Sequence, residues 1–141
     1  MNHRRRTRGS MSIEAVLVIP AFLLFLALIA GIGRTAMVRA DIHAGVVSGA
    51  RLASLESDVR TAEQVGRLAI IEHFERANLN CVRLEIRLDT LALGLPAGQA
   101  GQVTATATCV VPLADLAVPG LPGQVTITES FSTPINTYSE H

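Results

Sequence analysis

Few residues of this 141-residue chain stand where they could do covalent chemistry. Glu72, His73 and Glu75 come nearest to an acid–base or metal cluster. At those offsets, however, the side chains fan out around a helix instead of converging, so a solvated helix face is the simpler reading. His3, His43 and His141 are scattered, and no HExxH, CxxC or nucleophile-elbow spacing surrounds any of them. Residues 94–101 are glycine-rich but hold no lysine and do not lead from a strand into a helix, as a phosphate loop does. The expectation is a protein that is not an enzyme and carries no cofactor or metal.

Two features with chemical consequences remain. The first is Glu14, a carboxylate at the mouth of an uncharged apolar run, residues 15–33. Drawn toward the centre of a bilayer, a carboxylate costs about 2.5–3.5 kcal/mol, so Glu14 either stays at the interface beside Arg8 or takes a partner. The second is the pair Cys81 and Cys109. Outside the cytoplasm, two thiols are more often a disulfide than a metal or redox site, and this one would close a loop worth roughly 3–4 kcal/mol of chain entropy.

The elements that carry these residues follow from hydropathy and period. The apolar run holds 19 residues, about 28 Å as a helix, which matches the hydrocarbon thickness of a membrane. A cleavable secretory signal has a shorter apolar core with small residues before its cut, and Leu28 ahead of Ala30 fits that pattern poorly. Arg4, Arg5, Arg6 and Arg8 precede the run, and the positive-inside bias holds such a flank in the cytoplasm. The division expected is a basic cytoplasmic leader (1–12), a transmembrane helix (13–33) and an extracytoplasmic domain (34–141). The domain carries eight arginines against eleven acidic residues, so it offers no basic footprint and no nucleic-acid partner is expected.

Beyond Gly33 the stripe Val38, Ile42, Val46 and Ala53 extends the helix as an amphipathic one to about Glu56. Gly45 and Gly49, with Ala40, Ala44 and Ser48 beside them, suit either close approach of another helix or packing against the domain's own sheet. Thr61 and Gln64 read as the capping box of a second helix to about Ala77, burying Val65, Leu68, Ala69 and Phe74 and stopped by Asn78 and Asn80. Alternation then signals strands at 82–88 and 103–111, and a third at 124–131 after the turn-rich break at 118–123. The fold class is α+β: a long N-terminal helix, a short second helix and an antiparallel sheet of about three strands in meander order. Matching apolar faces pairs Val82 with Cys109, Leu84 with Ala107 and Ile86 with Ala105. That register puts the two cysteines on opposite faces unless a bulge intervenes or the strand bends at Cys81.

Gly9, followed by Ser10-Met11-Ser12-Ile13-Glu14 and a long apolar helix, is similar to the prepilin signal of type IV pilin-like proteins. With Arg8 and Ala15 on either side and Pro20 six residues after Glu14, it resembles more narrowly the TadE-like family of Tad (Flp) pilus assembly proteins. The segments 118–123 and 132–138 resemble the close of members of that family. The resemblance implies a minor pilin-like subunit of a Tad pilus or related secretion apparatus, with other pilin-like subunits, the inner-membrane assembly platform and a prepilin peptidase as partners. Cleavage would fall between Gly9 and Ser10, and Glu14 would neutralise the Ser10 amine of an adjacent subunit. Pro20, lacking an amide hydrogen, would bend the helix. The alternative is a permanently membrane-tethered extracytoplasmic binding or envelope protein with no filament role.

Overall fold

The computed structural model describes residues 8–96, 98–116, 120 and 122–135, and side chains of the first helix from Ala15 onward. Arg4, Arg5, Arg6, His3, His141 and the last part of the closing segment, 136–138, lie outside the described residues. So do Val118, Pro119 and Leu121 of the turn-rich break.

The chain runs α1 (Arg8–Ala53), α2 (Val59–Arg76), β1 (Arg83–Asp89), a single 3-10 turn (Leu91–Gly94), β2 (Gln102–Pro112), α3 (Leu113–Leu116) and β3 (Gln124–Pro134). The three strands form one antiparallel sheet in the order β1-β2-β3, the expected meander. The fold is therefore α+β, with both long helices on one face of the sheet. The 3-10 turn and α3 fall in connections that the sequence pattern left without structure.

One helix serves two surroundings. In its second half Ile42, Val46, Ala50 and Ala53 are fully buried, recurring at the three- and four-residue spacing that aligns them on one side. They meet Ile70 and Phe74 of α2 and a sheet face whose central strand presents Val103, Ala105, Ala107, Cys109 and Val111, all buried. Two of these are alanines, which leaves room for α1 to lie close over β2, while α2 approaches the sheet at β1.

The crossing of α1 and α2 is closer still. A β-carbon at Gly49 would lie 2.7 Å from the Gly66 carbonyl oxygen and 2.5 Å from Ile70 Cγ1, and one at Gly45 would lie 2.7 Å from the Phe74 ring. Gly45 and Gly49 thus seat α2, so of the two readings of their spacing it is the close approach of another helix, not packing against the sheet, that the fold uses. Ala40 and Ala44 stay exposed. The buried side of α2 is correspondingly Ala62, Gly66, Ala69, Ile70 and Phe74. Leu68 is 60% exposed and Val65 only half-buried, so the expected face is rotated toward the side on which Gly66, Ile70 and Phe74 meet α1.

Helix α2 also starts earlier than its Thr61 signal. Asp58 is the N-cap, with its Oδ2 accepting from the Thr61 amide at 2.9 Å and from the Thr61 hydroxyl at 3.0 Å. These bonds favour the charged carboxylate and hold the Asp58 pKa below its ordinary value. Thr61 serves as the donor to the cap instead of being the cap. At the other end Leu79 N donates to Phe74 O and Asn78 N to Glu75 O. This is the paired closure of a Schellman motif, and it demands the left-handed backbone that Asn78 adopts at φ 51°. Asn78 is the stop that was expected there.

In the sheet, Leu84 pairs with Cys109, Ile86 with Ala107 and Leu88 with Ala105. The register is two residues away from the expected one, which preserves every face because side chains alternate with period two. Cys81 lies before β1, and the chain bends at Val82, whose amide still donates to Val110 O at 2.8 Å. The bend turns Cys81 back over the inner face, where it is bonded to Cys109 with Cα atoms 5.4 Å apart. Of the two ways to bring the cysteines together, the bend is the one used. It leaves Val82 61% exposed, off the core that the alternation had assigned it.

Replacing Gly49 with alanine improves intrinsic helix propensity by about 1 kcal/mol, yet overpacking a backbone-to-backbone crossing costs about 1–3 kcal/mol. The expected net result is a lowered denaturation midpoint for Gly49→Ala, and no loss for Gly33→Ala, where an added β-carbon meets nothing within 4 Å. Removing the disulfide as Cys81→Ala with Cys109→Ala is expected to lower unfolding free energy by about 3–4 kcal/mol, read from chemical denaturation of the full chain.

Candidate functional site

The residues expected to carry function at the N-terminus lie on one element. Arg8, Gly9, Ser10 and Glu14 fall in the first turns of α1, with their side chains outside the described residues. Pro20 stands inside the same helix, where it offers no amide to the preceding turn. From Val16 to Ile32 the large apolar side chains of α1 are 45–72% exposed. The domain covers none of the most apolar stretch, and this helix is long and apolar enough to cross a membrane.

The junction between that stretch and the domain is held by a group absent from the sequence expectation. Glu129 sits on the inward-facing register of β3, opposite Ala107 and between Ile127 and Phe131. Its side chain is only 19% exposed. An arginine and a histidine on adjacent turns of α1 reach it: Arg39 Nε donates to Oε1 at 2.6 Å, and His43 Nδ1 lies 3.5 Å from Oε2. The His43 ring also meets Phe131 edge-on at a centroid distance of 6.3 Å. A carboxylate among apolar neighbours requires a partner, and here both candidates come from the helix that leaves the domain. The arrangement ties α1 to β3 near the point where the helix leaves the domain. The signal was present in the alternation, because Glu129 has the same parity as Val125, Ile127 and Phe131, but parity alone did not identify the element opposite.

The other candidate chemistry disperses. Glu72 is exposed and pairs with Arg76 at 3.4 Å, one turn along the same helix, while His73 packs beside Gly45. Among the described residues no three His, Cys, Asp or Glu side chains converge to hold a metal ion. Cys81 and Cys109 are joined in the core, Cys109 being fully buried.

Fold and site together define a small α+β domain mounted on the second half of a helix whose first half is unburied, apolar and of membrane-spanning length. Residues 9–51 match the family model of the TadE-like protein, which is nearly the whole of α1 and nothing of the sheet. The match agrees with the resemblance carried by Gly9, Glu14 and Pro20, and points to a protein associated with a Tad pilus. No curated protein and no solved structure matches the chain significantly.

A double-mutant cycle of Arg39→Ala and Glu129→Gln is expected to give a coupling of about 0.2–1 kcal/mol that shrinks with added salt, since Arg39 is two-thirds exposed. Urea denaturation of the four proteins at low and high ionic strength measures it.

Proposed function

We propose that the chain is a minor pilin-like subunit of a Tad-type pilus or related secretion apparatus, working in assembly and not in catalysis. What carries the reading is the coincidence of the TadE-like match at 9–51 with α1 at Arg8–Ala53, a helix whose apolar first half the domain leaves bare. Such a surface is stable only in lipid or against other apolar helices. The arginines ahead of it favour a cytoplasmic N-terminus and an extracytoplasmic domain.

In this reading a prepilin peptidase cuts between Gly9 and Ser10 and frees an amine on Ser10. Glu14 lies one helical turn further on, on the same face. Between bundled helices in low dielectric, Glu14 of one subunit neutralises the Ser10 amine of the next, and a slipped register leaves both charges unpaired. Pro20 bends the helix so that its first turns can follow neighbours without tilting the domain. The clamp at Glu129 transmits the orientation of the span to the domain.

N-terminal sequencing of protein extracted from membranes tests the processing step. A chain starting at Ser10 is expected. A chain retaining the residues before Ser10 favours the permanent tether without a filament role, and one starting beyond Ala30 indicates a secreted protein. Replacing Glu14 with leucine is expected to leave membrane insertion intact and to reduce incorporation into pili. Normal piliation in that variant removes the pairing role.

A further inference from the structure

A groove of about 350 Å3 runs between the first half of α1 and the base of the sheet. Leu24, Leu28 and Ile32 form one wall, and Leu113 and Leu116 of α3 with Val125 of β3 form the other. The polar side chain lining it is Thr35, whose hydroxyl donates to Gly31 O at 2.9 Å within its own helix. On the opposite wall Leu113 N donates to Gly123 O at 2.9 Å. This pairing closes the base of the β2–β3 hairpin, with Gly123 at φ 127°, a conformation that side chains other than glycine rarely adopt. The groove therefore presents mainly apolar surface, with the Thr35 hydroxyl and the Leu113 amide both paired, as suits a surface that faces hydrocarbon.

Its depth identifies its occupant. Arg34 ends the apolar run and lines a neighbouring cleft together with Asp115 of α3, so charge returns at the end of the apolar stretch beside the base of the domain. Leu24 lies ten residues before Arg34, about 15 Å along the helix, which is half the hydrocarbon thickness of a bilayer. Measured from Arg34, the groove thus lies alongside the part of the span that occupies one leaflet.

We infer that α3 and the base of the β2–β3 hairpin dip into the outer leaflet, and that lipid acyl chains fill the groove between them and α1. This rests on the membrane-spanning role proposed for α1. The domain is then seated on the bilayer at two points, the span and the α3 corner, and cannot swing freely about Gly33. Asp115 is exposed and turned toward the Arg34 cleft, so it limits how deep the corner enters.

The chain contains no tryptophan, so one introduced at a chosen position reports alone. The full chain is reconstituted at low protein density in phosphatidylcholine–phosphatidylglycerol vesicles whose acyl chains are brominated near their upper third or near their ends. Leu24→Trp reports on the span, and Leu91→Trp, on the 3-10 turn, supplies the water-exposed reference. Leu113→Trp is expected to emit blue-shifted and to lose emission to the upper-chain bromines, while Leu91→Trp is unquenched. Val125→Trp repeats the measurement in case the first variant does not fold, folding being checked by mass as retention of the disulfide. Quenching of Leu24→Trp with water-like, unquenched emission from the α3 corner overturns the inference and leaves the span intact. Blue-shifted but unquenched emission also overturns it, because a neighbouring protein copy then covers the groove. An unquenched Leu24→Trp overturns both the inference and the membrane reading.

Discussion

The crossing of α1 and α2 is the contact on which the domain is built. The second half of α1 can act as the spine of a soluble core only if another element covers it, and α2 does so at backbone distance because Gly45, Gly49 and Gly66 carry no side chains there. With that contact made, Ile42, Val46, Ile70 and Phe74 form a continuous apolar layer over the alanines of β2. The disulfide from Cys81 to Cys109 ties the end of the helical layer to the central strand, and the Thr90 hydroxyl, donating to Val59 O at 3.3 Å, ties the end of β1 to the start of α2. A core with few aromatics depends on such close approach, since area buried per residue is small.

The same helix leaves the core with its apolar surface undiminished. A helix buried on all sides belongs inside a protein, and one with a single apolar stripe belongs on its surface. Here the two regimes follow one another along α1, and the changeover lies near Arg34 to Arg39. The clamp from Glu129 to Arg39 and His43 falls just past that point. Its placement suits a part that must hold a membrane span in fixed orientation to the domain. In the proposed role as a pilin-like subunit, that fixed orientation would set which face each copy shows to its neighbours.

Much of this was legible in the sequence because the signals were local. Apolar length marked the span, period two marked the strands, and the cysteines' compartment argued for a bond. The misplacements were all of one kind. Leu68 was assigned to the core because it is large and apolar, and it is exposed because a different side of α2, the one carrying Gly66, Ile70 and Phe74, meets α1. The cap of α2 was expected at Thr61, whereas Asp58 is the cap and Thr61 its donor, since Asp and Thr share the same local capping preference. The strand register slipped by two because a shift of two conserves faces, and hydropathy alone cannot detect it.

What the sequence by itself determined is therefore the two long helices, the three strands, their order and the two regimes of α1, because each depends on residues close together in the chain. Its N-terminal motif, Gly9 with Glu14, also stands on local pattern, and the TadE-like match lies over the same residues. Only the tertiary structure decided which side of α2 faces α1, how Cys81 bends back to Cys109, and that Glu129 meets Arg39 across 90 residues of chain. Those outcomes depend on pairs of surfaces brought together by folding. Their energies lie in the fit between distant residues, which no stretch of sequence contains on its own.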